Sequence, residues 1–406
     1  MKILFLTIGS LTDIEDHEIY PDLLRQFRDC GHEVYIVTPR QRRTGLATEC
    51  LEKHGAHMLS VQIGNITKCG MLEKGISTLL IEKQYQTAIQ TFFGSVKFDL
   101  VMYSTPPITL AGVVKYIKKR DGAKSYLLLK DIFPQNAVDL GMMTTTGPKS
   151  IIYKMFSRKE KQLYALSDTI GCMSPANVEF VLKHNPDVPA EKVEVCPNCI
   201  EPMDMSVTQE ERISMRQKYG IPQDRVVFVY GGNLGKPQGI PFLIDCIRSQ
   251  KDNPDAFFLV VGAGTEYSKL EQFAENEAQD NFKLMSSLPK EDYDRMAASC
   301  DVGMIFLDHR FTIPNFPSRL LAYMQAKLPV LCCTDPNTDI GRIAEEGGFG
   351  WWCESNSTEA FDQMVRRACE SDRSSMGAVA AKYLEAHYTV RDGYNTIVNR
   401  VEGTDA

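Results

Sequence analysis

The 406-residue sequence predicts an α/β chain of two doubly wound, parallel-sheet domains facing a cleft. Three observations carry this. Strongly apolar runs alternate with amphipathic stretches, the alternation lapses near residue 200 and starts again, and glycines stand directly after several of the apolar runs. Apolar strands alternating with amphipathic helices imply a parallel sheet covered on both faces. At roughly 100 to 200 residues per domain, a chain of this length is expected to divide in two.

The first half opens with the strand "KILFLTI". In the following "IYPDLLRQFRDCG", Ile19, Leu23, Leu24 and Phe27 share one helix face and Gly31 marks the stop. "HEVYIVTP" is the next strand, and the rhythm repeats through "FDLVMYSTPP", "ITLAGVVKYIKKRDG" and "KSYLLLKDIFP". The polar, proline-bearing "VEVCPNCIEPMDMSVTQEE" reads as the linker. It sets an N-terminal domain at 1–200 and a C-terminal one at 201–379, with a last helix at about 380–406 packing back on the first. The second domain then runs "VVFVYGG", "PFLIDCIRSQ", "AFFLVVGAG", "EYSKLEQFAENEAQ", "FKLMSSLP", "EDYDRMAASC", "DVGMIF". Ligands of such folds bind at the carboxyl ends of strands, where Gly9, Gly231, Gly232, Gly262 and Gly264 fall.

Residues 1–200 hold 24 Lys and Arg against 21 Asp and Glu, and the remainder 21 against 31, so the halves carry +3 and −10. A nucleic-acid-binding domain is usually strongly basic, and no nucleic-acid partner is expected. The basic residues cluster instead at Arg40 to Arg43, Lys115 to Arg120 and Lys149 to Lys161. Twelve cysteines follow no framework spacing. The opening apolar run of about six residues is shorter than the ~7–15 of a secretory signal, and no run reaches the ~18 of a membrane span. Reduced thiols in the cytoplasm are therefore expected. "CPNC", Cys196 to Cys199, lacks the second ligand pair that zinc requires and reads as a turn with buried thiols.

The stretch "VYGGNLGKPQGIPFLIDC" hands a strand over to a helix, the setting in which free amides attract an anion. It is not a Walker A loop, because Gly231 stands only four positions before Gly235 and Pro237 occupies the place of the magnesium-binding hydroxyl. "DYD", Asp292 to Asp294, matches a metal-binding D-x-D. It begins a helix, where residues two apart point about 200° away from each other and cannot share a metal.

Six motifs stand in order: "KDIFPQNAVDLG" from Lys130, "CPNCIEP", "YGGNLGKPQG" from Tyr230, "VVGAGTE" from Val260, "SSLPKEDYDRM" from Ser286 and "PNFPSRLLAYMQAKLPVL" from Pro314. Together they resemble the retaining family 4 glycosyltransferases of the GT-B fold, and within them the bacterial capsule and O-antigen enzymes similar to N-acetyl-L-fucosamine transferases. The resemblance spans essentially the whole chain. It implies a sugar-nucleotide donor, a UDP-sugar by preference, held mainly by the second domain. It also implies a polyprenyl-diphosphate-linked acceptor held mainly by the first, and transfer in the cleft without a metal or other cofactor.

On this resemblance Gly232, Gly235 and Lys236 form half of a diphosphate site, and Ser318, Arg319 and the free amides of the helix they begin form the other half. Asn233 and Gln238 stand where the wider family has Arg and Lys. Gly262, Gly264 and Leu288 complete the donor side. The family's paired glutamates fall on Pro314 and Ala322, and Tyr323 is the neighbour expected to replace the lost ribose contact. Asp131 is expected to orient acceptor or sugar, with a helix-cap role as its alternative; Gly9, Ser10 and His17 lie on the acceptor side. Lys236, Arg319 and Asp131 are the expected catalytic set. Two other functions fit the same motifs, a catalytically silent sugar-nucleotide-binding relative and a sugar-nucleotide epimerase. An acceptor on lipid also gives the stretch from Lys149 to Lys161 a reading as a peripheral membrane contact, since Ile151, Ile152, Met155 and Phe156 recur at helical spacing among its cations. The alternative is a helix with a buried apolar face and a solvated basic one.

Overall fold

In the computed structural model, which describes residues 1–277 and 279–403, the chain folds as two units. Unit 1 comprises Met1–Glu201 and the chain from Val390 onward, and unit 2 comprises Pro202–Thr389. No helix among the described residues is long and apolar enough to cross a membrane.

Unit 1 runs β1 (Lys2–Leu6), α1 (Ile19–Asp29), β2 (Glu33–Gln41), β3 (Glu49–Lys53), β4 (Ala56–Ile63), α2 (Met71–Phe92), β5 (Leu100–Ser104), α3 (Ala111–Asp121), β6 (Lys124–Leu129), α4 (Gln135–Asp139), α5 (Ser150–Leu166), β7 (Thr169–Cys172), α6 (Pro175–His184) and β8 (Val193–Val195). The eight strands lie in the order β3-β4-β2-β1-β5-β6-β7-β8, all parallel except β3, which pairs antiparallel with β4. "LVMYS" of β5 is buried at every position, as a parallel strand covered on both faces must be. Connections from β1 to β2 and from β4 onward run opposite ways along the sheet, so their right-handed crossovers place α1 on one face and α2, α3 and α5 on the other.

Unit 2 continues with α7 (Gln209–Lys218), β9 (Val226–Asn233), α8 (Ile240–Ser249), β10 (Ala256–Ala263), α9 (Tyr267–Glu277), β11 (Phe282–Met285), α10 (Lys290–Ala298), β12 (Val302–Phe306), α11 (Arg319–Gln325), β13 (Val330–Thr334), α12 (Ile340–Glu346), β14 (Gly350–Glu354), α13 (Thr358–Glu370) and α14 (Arg373–His387). Its six parallel strands are ordered β11-β10-β9-β12-β13-β14. The core gathers Phe228, Tyr230, Phe258, Met304 and Phe306 from the strands with Leu243, Ile247 and Phe361 from the helices.

Three boundaries differ from the sequence expectation. The presumed linker is shorter, because "VEV" forms β8 and Gln209 already begins α7, whose Thr208–Glu211 capping box fixes its start. α14 stays with unit 2, where Gly377 lets it lie against the Lys327 carbonyl. Only α15 (Val390–Glu402) joins unit 1, packing on α1 and contributing Val390 and Ile397 to that core; residues 404–406 lie outside the described ones.

Candidate functional site

In unit 2 the chain builds β9, β10 and β11 outward in one direction and then returns to place β12 on the other side of β9. The carboxyl ends of β9 and β12 therefore form the topological switch point, where doubly wound sheets open a crevice. The β9–β12 ladder stops at Gly303 and Val229. Beyond it a side chain replaces the missing strand: the Tyr323 hydroxyl donates to the Val229 carbonyl at 3.1 Å and accepts from the Gly231 amide at 3.1 Å. Gly303 is needed here, since a Cβ on it would lie 2.4 Å from the Tyr323 ring. This corrects the expected ribose role of Tyr323, whose buried hydroxyl is already committed on both sides.

One helical turn earlier on α11, Arg319 lies against the same strand end. Its guanidinium carbon is 4.2 Å from the centre of the Tyr230 ring, and Nη2 comes within 3.9 Å of the point where Gly232 lacks a Cβ. Nη1 is buried without a hydrogen-bond partner among the described residues. Burial opposes this charge, yet Tyr230, Tyr323 and Tyr293 more than offset that and raise the pKa above its ordinary value. Gly232 has φ of +112°, which only glycine adopts without strain, and it is exposed.

The third ring was missed in the sequence. Tyr293 sits between the acids of "DYD" and turns inward; its hydroxyl occupies the space a Cβ on Gly231 would need, 1.6 Å away. Burial, and then Tyr323, hold its pKa well above the usual phenol value. Its helical spacing to buried Met296 and Ala297 was the available signal. The flanking acids face separate lysines, Asp292 at 3.2 Å from Lys218 and Asp294 at 2.6 Å from Lys290.

The loop after β9 is uncharged at the two positions where the wider family carries cations. Asn233 donates to Gln238 Oε1 at 3.1 Å, and the same oxygen accepts from the Gly235 amide at 3.1 Å. Lys236 is exposed, and its side chain has no hydrogen-bond or ion-pair partner among the described residues. Gly262 and Gly264 permit close backbone packing, because Cβ atoms there would meet the Gly232 and Leu234 carbonyls. Leu288 is half-buried in the loop after β11. Ser318 is exposed and ungripped by any cap hydrogen bond. The expected free amides are fewer than anticipated, since those of Leu320 and Leu321 turn back onto the Pro317 and Ser318 carbonyls. The segment before Ser318 is braced by groups the sequence did not suggest: the Asn315 amide donates to Thr338 Oγ1, which donates to buried Asp335, and Asn337 Nδ2 donates to the Phe311 carbonyl. Pro314 is buried and Ala322 exposed.

In unit 1, Thr105 Oγ1 accepts from the Lys130 and Asp131 amides at 3.0 and 3.3 Å and donates to the Asp131 carbonyl at 3.1 Å, fixing this turn at the end of β6. Burial raises the Asp131 pKa. Asp131 caps no helix, since α4 starts after Pro134. Tyr20, also missed, lies close enough for the Asp131 charge to act on it, and burial pushes its phenol up to about 12. Gly9 and Ser10 are exposed after β1, where the Thr38 hydroxyl donates to the Gly9 carbonyl at 3.0 Å. His17 belongs to a different group. Its ring nitrogen lies 3.4 Å from Arg25 Nη2, which also donates to Asp22 at 2.6 Å and Glu201 at 2.7 Å. His17, Asp22 and Glu201 bring ligand-type atoms within 4.8 Å of one another, but the Arg25 guanidinium already donates to both carboxylates. Lys130 reaches the Cys196 carbonyl at 3.4 Å, and burial lowers its pKa.

Residues 211–383, all within unit 2, match the sequence model of the family described as glycosyl transferases group 1. Unit 2 is thus similar to that family's domain, and with two Rossmann-like parallel-sheet units the chain is a glycosyltransferase of the GT-B fold. Among its relatives, a protein of Pseudomonas aeruginosa named as glycosyltransferase WbjE is 26% identical over 331 residues, 79% of this chain and 80% of that one. The colanic acid biosynthesis glycosyl transferase WcaI of Escherichia coli K12 is 22% identical over 312 residues, 76% and 74% of the two chains. Anabaena Alr3699/HepE, solved in complex with UDP, aligns at a TM-score of 0.71 and 15% identity over 99% of this chain and 100% of its own.

Proposed function

We propose that this glycosyltransferase builds a capsule, O-antigen or exopolysaccharide by moving a sugar, with retention, from a UDP-sugar to a polyprenyl-diphosphate-linked saccharide. Arg319 carries the reading. A half-buried arginine whose buried Nη1 lacks a partner, beside the exposed Gly232 at a switch point, is a site short of an anion. A diphosphate supplies that anion, and HepE, which shares the fold, holds UDP. The naming of WcaI for colanic acid favours a polysaccharide product.

As the bond between the anomeric carbon and phosphate breaks, negative charge grows on the departing β-phosphate. Arg319 and Lys236 stabilise it, with the Ser318 hydroxyl and loop amides beside them. The acceptor oxygen bonds to the anomeric carbon on the face the phosphate leaves, and its proton passes to the departing phosphate oxygen. Asp131 orients the acceptor or sugar. With two side-chain cations at the phosphates, the reaction needs no metal in this account. The chain works at the cytoplasmic face of the membrane, with a peripheral contact through Lys149 to Lys161.

Pro314 and Ala322, in place of two glutamates, favour a second reading, a silent sugar-nucleotide-binding relative. A donor panel scored for nucleotide diphosphate release with and without lipid-linked acceptor tests both. Acceptor-dependent release supports transfer. Binding without turnover supports the silent relative, and isomerisation of free donor without acceptor identifies an epimerase.

A further inference from the structure

The outward faces of α2 and α5 break the usual rule for surface helices. Along α2 the buried positions Ser77, Ile81 and Tyr85 define the inner face. The opposite arc carries Ile76, Leu79 and Leu80, each about half exposed, and only then Lys83, Thr87 and Gln90. α5 repeats the pattern. Leu163 and Tyr164 are buried, Ile151 is 71% exposed with Ile152 and Met155 beside it, and further along the helix Lys154, Arg158 and Lys161 line an open recess with Tyr153 and Ser157. Met142, in the loop before α5, is 61% exposed. The exposed large apolar residues of α5, and those on the outward arc of α2, lie in the first half of each helix; Phe92, 42% exposed, stands apart at the far end of α2.

The fold brings those turns to one edge. α2 follows β4 and α5 follows β6, so both helices start at the carboxyl end of the sheet and lie on the same face, with α3 packed between them. The first turn of α3 is level with Glu82, which accepts from the Gly112 amide. Residues 71–81 of α2 therefore project about 15 Å past the start of α3. Cations from distant sequence flank the projection. Arg43 donates to the Thr67 carbonyl just ahead of α2, and Arg42, Lys68 and Lys74 are exposed around it.

We infer that this edge of unit 1 docks on a bilayer leaflet containing anionic lipid, with Ile76, Leu79 and Leu80 of α2 inserting among the acyl chains alongside Ile151, Ile152 and Met155. The cations of the 42–43, 68–74 and 154–161 segments hold headgroup phosphates. Charge complementarity selects this occupant. A helix pair whose outward arcs carry apolar residues toward the leading edge and cations beside and behind them matches the polarity gradient of a leaflet, in which apolar burial and attraction to anionic lipid act together. The inference extends the proposed lipid-linked acceptor by naming α2, a segment the sequence did not single out, as the principal inserting element. Its test needs no glycosyl transfer, so the two readings fail separately.

The full chain is co-sedimented with phosphatidylcholine vesicles with and without 30% phosphatidylglycerol, at low and high salt. Three proteins are compared: wild type, Ile76→Ser/Leu79→Ser/Leu80→Ser, and Lys154→Glu/Arg158→Glu/Lys161→Glu. Wild type binds the anionic vesicles and is released by salt. Each triple variant weakens binding at least about tenfold while keeping the wild-type melting temperature and circular dichroism spectrum, which shows that it is folded. Equal binding to neutral vesicles, no vesicle binding, or wild-type binding by the α2 variant overturns the inference. So does a concentration-dependent dimer that the α2 substitutions dissociate without changing vesicle binding, since the apolar face would then meet a second copy.

Discussion

The guanidinium of Arg319 stacks on the ring of Tyr230 at 4.2 Å. The Tyr230 hydroxyl in turn donates to the Asn233 carbonyl at 2.8 Å. One aromatic residue thus aims the cation and shapes the glycine loop beside it. A stacked cation–π pair is worth ~0.5–2 kcal/mol, modest for stability but enough to favour one orientation of a flexible side chain.

Arg319→Met is expected to lower turnover by roughly 10²-fold without lowering Tm. The methionine keeps the apolar stem against Tyr230 and removes a buried N–H group that has no partner. Nucleotide-release assays and a melting curve on the same preparation check both halves. Arg319→Lys should fall in between, because lysine keeps the charge but loses the planar fork.

Gly231→Ala should destabilise the fold by about 1–3 kcal/mol, since its Cβ would collide with the Tyr293 hydroxyl. In Gly231→Ala/Tyr293→Ala that clash is gone, and the double variant should be more stable than the sum of the single effects requires. Urea unfolding of the four proteins measures the coupling. Additivity would mean that Tyr293 does not press on Gly231.

Asp335 gives a pH signature. Burial raises its pKa from 3.8 to about 6, although Thr338 and the amides of Asn337 and Thr338 hydrogen-bond to the carboxylate. The folded state therefore holds a proton that the unfolded state has released between pH 3.8 and about 6, and this group makes stability fall as pH rises through that window. Asp335→Asn keeps the acceptor oxygen and removes the titration. Its Tm should exceed that of wild type above pH ~6 and lose this part of the slope below it.

Asp292→Asn and Asp294→Asn should leave turnover largely intact, and a chelator should not abolish it. Each carboxylate faces its own lysine. Metal-dependent turnover that manganese restores would contradict the account.

The alternation of strands and helices was legible because parallel strands covered on both faces must be apolar throughout, as in "LVMYS" and "VLCCT". β3 was not. "ECLEK" is a polar edge strand with no apolar signal, held by a His54–Gly55 turn with both residues at positive φ. Arg319 and the glycine loop could be named from motifs. Tyr323 could be named but not understood, since its role follows from the ladder ending at Gly303 and Val229, a tertiary fact. Tyr293 was hidden inside a pattern read for its acids, and the Asp335–Thr338–Asn315 brace joins segments some twenty residues apart that no local pattern links.

The central claim is that Arg319 waits for the second phosphate of a nucleotide diphosphate, and calorimetric titration of UDP and UMP into wild type and Arg319→Ala tests it most directly. Wild type should prefer UDP by at least about tenfold, a difference of about 1.4 kcal/mol. Arg319→Ala should bind UMP as wild type does and lose that preference. If Arg319→Ala still distinguishes UDP from UMP to the same extent, the anion lies elsewhere and the site is misassigned.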